Sequence, residues 1–326
     1  TDERLATRVK RSMISPRRPK SWPGFSEAAA QEFHLRLTPA WLNKIENSDR
    51  PGALIRQVLP TAEELLPAPG FERDPLGEAP ANNRGLLKKY AGRLLVMATW
   101  ACSGHCRFCF RRNLLSEPVK QSEVQAEFRR YMDTHGGISE VILSGGDPLT
   151  LSDARIESWL RLVAAYPQVR RLRIHSREPV FSPERITPTL AAIIRDGAVP
   201  VVIAIHVNHA DELDGPTRKA LSILRQSGAL LLTQTVLLKG VNDSVEALTA
   251  LFERAVDSGL TPYYLHQLDR VSGAAHFEVE RTRGLELVAA LQKNLPGYVV
   301  PRYVEEVPGA ASKLAVSAES AAATSA

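Results

Sequence analysis

The sequence predicts an α/β fold built as a partial (β/α)6 barrel, and three observations carry that expectation. Six short apolar, β-branched runs recur along the chain, at residues 94–99, 140–144, 171–175, 199–206, 229–237 and 262–266. Helix-sized amphipathic stretches separate them, at 123–131, 152–165, 183–196, 216–227 and 245–258. Strands alternating with helices make parallel β/α units, and six such units fall short of the eight that close a barrel. Finally, polar or small residues gather where these strands end: Thr99, Ser144-Gly145-Gly146-Asp147, His175, His206, Gln234, and His266 to Asp269. Folds of this kind build their active sites at the carboxyl ends of the strands.

Ahead of the first strand, Thr38 can cap a helix that starts at Pro39 and carries Trp41, Leu42 and Ile45 on one face. The Pro/Gly-rich stretch 67–80 reads as an irregular connection. Residues 4–20 are basic and poor in acids, a solvated tail in preference to a transit peptide. Residues 315–326, rich in Ala, Ser and Thr, read as a frayed end. The expected organisation is an N-terminal tail and helical extension over 1–92, the barrel over 93–295, and a C-terminal segment over 296–326.

Composition excludes several classes. With 44% hydrophobic and 24% charged residues, the 326-residue chain has the make-up of an ordinary globular protein. A formal net charge of +5 is too mild to indicate nucleic-acid binding, and no basic stripe interleaved with aromatics accompanies it. Apolar runs are strand-sized, well below the length of a membrane span. The chain has three cysteines and no second pair for bridging. Such usage implies a reducing, cytoplasmic setting.

Those three cysteines are the most informative feature. Cys102, Cys106 and Cys109 are spaced C-x3-C-x2-C, which brings three thiolates round one small inorganic centre. A [4Fe–4S] cube held by three cysteines keeps one iron without a protein ligand, whereas a purely electron-carrying cluster uses four. The open iron points to cleavage of S-adenosylmethionine (SAM) to a 5′-deoxyadenosyl radical. Cys102-Ser-Gly-His-Cys106-Arg-Phe-Cys109, with the aromatic Phe108 before the last cysteine, resembles the radical-SAM signature. A zinc site of three Cys and one His, taking His105 or His175, is the alternative.

Ser144-Gly145-Gly146-Asp147 ends the second strand of the series. Two glycines let backbone approach a ligand, and Asp147 can accept from an ammonium group, so behind a three-cysteine motif this turn reads as the site for the methionine part of SAM. His206 and His209 lie three apart, on opposite faces of a strand, which argues against a shared metal and leaves His206 facing the mouth. Gln234 interrupts an apolar strand, either as a site residue or as a satisfied core amide. Arg107, Arg111 and Arg112 crowd the cysteines and read as a carboxylate clamp within the mouth. Lys313 follows Pro308-Gly-Ala-Ala-Ser312, a run of small or turn-forming residues that can pass close to a ligand.

Over residues 38–313 the sequence resembles the lysine 2,3-aminomutase family, radical-SAM enzymes that also carry pyridoxal phosphate (PLP). The resembling stretches are Pro69-Gly-Phe71 with Asp74-Pro-Leu76, then 86–90, 102–112, 144–149, 172–177, 206–213, 234–242, 262–277 and 297–301. It is most similar to the short bacterial branch that makes β-lysine for modification of elongation factor P. The resemblance implies that Lys313 binds PLP covalently, within a C-terminal PLP-lysine segment, and that Tyr90 and Arg93 contact the cofactor's ring and phosphate. It further implies that Ser144, Gly145, Gly146, Asp147, His206 and Gln234 line the SAM site. Arg111 would clamp the substrate α-carboxylate, and Asp269 and Glu306 would receive the distal ammonium of L-lysine. A flavodoxin or ferredoxin as electron donor, and a link to elongation factor P and its lysyl-transferase, are the implied partners, with neither membrane nor nucleic acid. Leu314-Ala315 follows Lys313 where the family has Thr-Pro, and the chain lacks a match to the C-terminal extension of the longer clostridial-type members. Two other readings stay open: a non-catalytic Fe–S or zinc interaction protein, and a radical-SAM enzyme that works without PLP.

Overall fold

The computed structural model describes residues 19–79, 85–114 and 120–317. Most of the basic N-terminal stretch, Pro80 and the end of the C-terminal tail lie outside the described residues. One sheet of nine strands, in the order β1 to β9, organises the rest. Strands β2 (Arg93–Thr99), β3 (Glu140–Gly145), β4 (Arg171–Ser176), β5 (Val201–His206), β6 (Leu230–Val236) and β7 (Thr261–His266) are the six expected from the sequence. They run parallel to one another in sequential order.

Three short strands went unrecognised in the sequence. β8 (Arg302–Glu305) pairs parallel to β7, following the helix Arg281–Asn294. β1 (Leu86–Tyr90) and β9 (Leu314–Ala315) cap the two edges in antiparallel orientation. None of the three has the long apolar run that marks a doubly covered parallel strand such as β3, buried along nearly its whole length. β1 and β9 form the two edges of the sheet, and β8 lies between β7 and β9.

The expected crossover helices are present at Gln121–Thr134, Asp153–Ala164, Gly215–Arg225 and Val245–Asp257. The single helix expected over 183–196 is instead broken. A 3-10 turn covers Pro183–Arg185, and a new helix starts at Pro188. Proline lacks the N–H a continuing helix would use and drives the preceding residue out of the helical region. Thr187 accordingly becomes a cap, accepting a hydrogen bond from Leu190 N at 3.1 Å. The same device starts the first long helix, Pro39–Asn47, where Thr38 Oγ1 accepts from Trp41 N at 3.1 Å. Trp41 and Ile45 are buried as expected, while Leu42 is only partly covered and Lys44 is buried against Asp214 at 2.6 Å.

The main apolar core fills the space between the sheet and its helices. A second cluster (Phe108, Leu238, Val241, Leu268, Val271, Ala274 and Phe277) seals the carboxyl ends of β6 and β7 against the cysteine loop. Residues in register along the inner face, Ser144, His175, His206, Gln234, Tyr264 and His266, give it a polar lining. No helix among the described residues is long and apolar enough to cross a membrane.

Gly145 and Gly146 are required by protein backbone. Gly145 has φ +109°, and a Cβ there would lie 2.4 Å from Thr99 O; a Cβ on Gly146 would lie 2.3 Å from Ala101 O. The close approach carries two hydrogen bonds, Gly146 N to Thr99 O and Asp147 N to Ala101 O, both 2.7 Å. Alanine at either position should cost about 1–3 kcal/mol through overpacking, with positive φ adding strain at Gly145. Thermal melting should show both losses and leave Gly136→Ala, which meets no atom within 4 Å, near wild type.

Candidate active site

The cysteine loop follows β2 at the mouth of the partial barrel, as the sequence predicts. All three thiols are free and half-buried. Burial pushes each of them up, Cys109 to about 11, while Arg177 opposes the rise at Cys106 through a hydrogen bond of 2.8 Å from its Nη1 to Sγ. Buried thiols lose their protons readily only to a cation, which is what an iron–sulfur core supplies. Among the described residues no three Cys, His, Asp or Glu side chains converge on one metal-ion position. A cube needs no such convergence, because each thiolate binds a different iron. Nor is a histidine poised to complete a zinc site: His105 Nδ1 lies 2.7 Å from His34 O and its ring stacks on Phe33, while His175 stands on β4. The donor set fits a three-cysteine cluster.

Of the three arginines expected to clamp a carboxylate in the mouth, two are committed elsewhere. Arg107 and Arg112 both bind Glu64, with Nη2 to Oε2 distances of 2.6 and 2.7 Å, and both lie over the Phe33 ring. They tie the N-terminal extension to the cysteine loop. Arg111 alone turns inward, bonding Glu78 Oε2 through Nε at 2.6 Å and Ser144 Oγ through Nη1 at 3.0 Å. Those bonds use two of its five N–H donors.

Asp147 also departs from expectation. Its carboxylate accepts from Leu149 N at 3.0 Å, Ser176 Oγ at 2.8 Å and Arg177 N at 2.6 Å, so it ties the end of β3 to the end of β4 and does not present itself to an ammonium group. A strand-end aspartate can cap either a ligand or its own neighbours, and only the fold brings Ser176 and Arg177 within reach.

Other predicted residues do meet at the mouth. His206 Nε2 and His175 Nε2 are buried without a hydrogen-bond partner among the described residues. Burial holds both imidazoles well below their usual range, so they stay neutral. Orphaned buried nitrogens of this kind mark positions that a ligand satisfies. Gln234 Nε2 lies 3.3 Å from His266 Nε2, whose pKa burial lowers to about 3. His209 lies beyond the end of β5 and caps the turn at Ala210–Glu212 by accepting from Asp211 N.

The C-terminal segment brings Lys313 to the same region. Its ammonium pairs with Glu306 Oε2, while Glu306 Oε1 accepts from Tyr90 Oη at 2.8 Å and from Lys89 Nζ at 3.3 Å. Lys89 also pairs with Glu78 Oε1 at 2.6 Å. Arg93 lies over the Tyr90 ring at 5.6 Å and faces Glu140 at 3.5 Å. Lys313 and Tyr90, distant in sequence, thus share Glu306, and Arg93 over the Tyr90 ring makes the group basic and aromatic. Asp269 stands beside it, with burial pushing its carboxyl up to about 7; Lys313 opposes that rise, and Glu306 and Glu78 reinforce it. A cavity of about 350 Å³ opens onto Asp269 and Glu306.

Glu78, Lys89, Arg177 and Glu212 were missed as site residues. Each is a single charged residue outside any periodic pattern, and only its burial among opposite charges reveals it. Glu306 gives a direct check on this network. Although burial alone would raise it, Lys313 and Lys89 hold its pKa down at about 2, below the 4.5 of the free side chain. Its contribution to stability is therefore present above pH 4.5 and lost as pH falls through about 2. Acid titration of folding should show a shallower limb across that window for Glu306→Gln.

Comparison with known proteins agrees with this geometry. Residues 98–252 match the Radical SAM superfamily. The chain is 38% identical over 287 residues to the L-lysine 2,3-aminomutase of Escherichia coli (strain K12), covering 88% of this chain and 84% of that one. It is 37% identical over 291 residues to the Haemophilus influenzae protein of the same name, covering 88% and 86%. With the Clostridium subterminale enzyme it shares 33% identity over 292 residues, covering 88% of this chain and 69% of the relative. Similarity of this extent over nearly the whole barrel, with the three cysteines placed at its mouth, settles the matter of descent: the chain belongs to the L-lysine 2,3-aminomutase family of radical-SAM proteins.

Proposed function

We propose that this protein converts L-lysine to β-lysine by moving the amino group from C2 to C3, using a [4Fe–4S] cluster, SAM and PLP. The observation that carries the proposal is the meeting of Lys313, Tyr90, Arg93, Arg111, Asp269 and Glu306 in one mouth beside three free cysteines. When bound, the cluster with SAM supplies a carbon radical, and PLP supplies a conjugated ring to carry the migrating nitrogen.

The chain's own residues orient and insulate. Arg111 binds the α-carboxylate with the donors that Glu78 and Ser144 leave over. Asp269 and Glu306 receive the distal ammonium; a second substrate carboxylate there would meet like charges, which selects lysine over glutamate. Fixing both ends presents C3 to the radical. Lys313 would hold PLP through its ε-amino group, and Glu306 would then be free for substrate. His206 and Gln234 supply neutral polar contacts to SAM, together with Ser144 and the backbone of Gly145 and Gly146. Asp147 supports that site from behind. The apolar seal of Phe108 and Phe277, with ring centroids 5.8 Å apart, keeps water from the reacting centre. The similarity to short bacterial relatives supports β-lysine supply for elongation factor P as the cellular role.

Three outcomes test this reading. Anaerobic reconstitution with iron, sulfide, PLP, SAM and a reductant should turn lysine into β-lysine on chromatography of the isomers, and alanine at any of the three cysteines should abolish both the visible iron–sulfur absorption and SAM cleavage. Borohydride reduction followed by peptide mapping should place a pyridoxyl group on Lys313; a label on another lysine would overturn the PLP assignment. Because burial pushes the Asp269 carboxyl up to about 7, apparent lysine affinity should rise as pH passes from about 6 to about 8, where the carboxylate ionises. Asp269→Asn should remove that rise and weaken lysine binding by roughly 3–5 kcal/mol, the cost of leaving one partner of a desolvated pair, while uncoupled SAM cleavage persists.

A further inference from the structure

Arg177 occupies an unusual position for a residue that touches neither the substrate end nor the PLP cradle. It follows β4 and reaches back to the cysteine loop, where its Nη1 lies 2.8 Å from Cys106 Sγ. Its Nη2 donates to Gln57 Oε1 at 2.6 Å and to Glu212 Oε2 at 2.9 Å. The guanidinium also lies over three aromatic rings, Trp41 at 5.0 Å, Phe108 at 5.7 Å and Phe181 at 4.8 Å. Behind it the frame is closed: Gln57 Nε2 donates to Glu212 Oε1 at 2.9 Å, Asn208 N donates to the same oxygen at 3.1 Å, and Asn208 Nδ2 donates to Gln57 Oε1 at 3.0 Å. Gln57, Asn208 and Glu212 are wholly buried.

Packing alone does not account for this arrangement. A buried arginine balanced by a buried glutamate needs no thiol, and a thiol needs no fixed cation. Here the cation is held on one side by a carboxylate and caged by rings, so that its remaining Nη has one destination, the sulfur of Cys106. We propose that Arg177 is a tuning residue for the iron–sulfur cluster: its N–H···S bond and charge raise the cluster's reduction potential, and Glu212, through Arg177, sets how far. Adding one electron from a low-potential reductant makes the cluster and its thiolates more negative. A cation donating to a ligand sulfur stabilises that reduced form more than the oxidised one. Glu212 partly neutralises the same cation and moderates the effect. The inference rests on the cluster assignment and goes beyond it by giving one arginine and one glutamate opposite effects.

The test is an anaerobic redox titration of the reconstituted full-length chain without SAM, poised with dithionite and mediators and read by electron paramagnetic resonance. Arg177→Gln should lower the midpoint, shifting the reduced-to-oxidised ratio at fixed potential at least tenfold, or 59 mV for a one-electron couple. Glu212→Gln should move the midpoint the other way, and Arg177→Lys should stay nearer wild type than Arg177→Gln. A merely structural role would move both neutral variants in one direction or neither, and either result with full iron content overturns the proposal. Should Arg177→Gln fail to hold iron, the sign of the Glu212→Gln shift decides alone. Wild-type protein that binds no cluster would defeat the cluster assignment itself, an outcome read from iron content before any midpoint is compared.

Discussion

The cysteine loop is the part on which the rest of the site depends, because it has no helix or strand of its own to hold it. Residues 101–114 make a few backbone bonds among themselves, such as Cys109 N to Cys106 O, and depend on neighbouring elements for others. One side is supplied by the strand ends, where Ala101 O accepts from Asp147 N and Asp147 in turn grips Ser176 and Arg177. The other side is supplied by the N-terminal extension: Arg36 O accepts from His105 N, Gln57 O accepts from Arg107 N, and Glu64 binds both Arg107 and Arg112. Gly104 lies so close to Phe181 that a Cβ would sit 2.6 Å from the ring. Three thiols are thus fixed in place before any metal arrives.

A second constraint closes the barrel. Its sheet has β1 and β9 at its two edges, and among the described residues no ladder joins them. Side chains join them instead: Lys89 and Tyr90 on β1 both reach Glu306, which also holds Lys313 beside β9. Partly buried charges are costly unless paired, so the Glu78–Lys89–Glu306–Lys313 chain is stable only as a set. The groups that seal the seam are also the groups proposed to hold PLP and substrate.

The neutral histidines complete this economy. His175, His206 and His266 line the mouth without adding positive charge, since burial keeps all three unprotonated. The fixed charges then belong to residues with distinct proposed duties: Arg111 for one carboxylate, Asp269 for one ammonium, and Arg177 for one sulfur.

The sequence by itself determined the fold class and the chemistry of the metal centre. Alternating apolar runs and amphipathic stretches are local patterns, and six strands could be located from them. C-x3-C-x2-C is likewise local, its three cysteines falling within eight residues of the chain. The Thr38–Pro39 helix start was legible for the same reason. Tertiary structure decided whatever depended on contacts between distant residues. Arg107, Arg111 and Arg112 look alike in sequence, yet Arg107 and Arg112 turn to Glu64 and only Arg111 enters the mouth. Asp147 could have faced a ligand, but the neighbouring strand supplied its partners first. The edge strands lack an apolar signature because they form only where the sheet gives them a neighbour. Arg177 carries no local mark at all; its meaning arises when β4, the Gln57 segment and the cysteine loop converge, and burial then leaves each charge only the partners the fold provides.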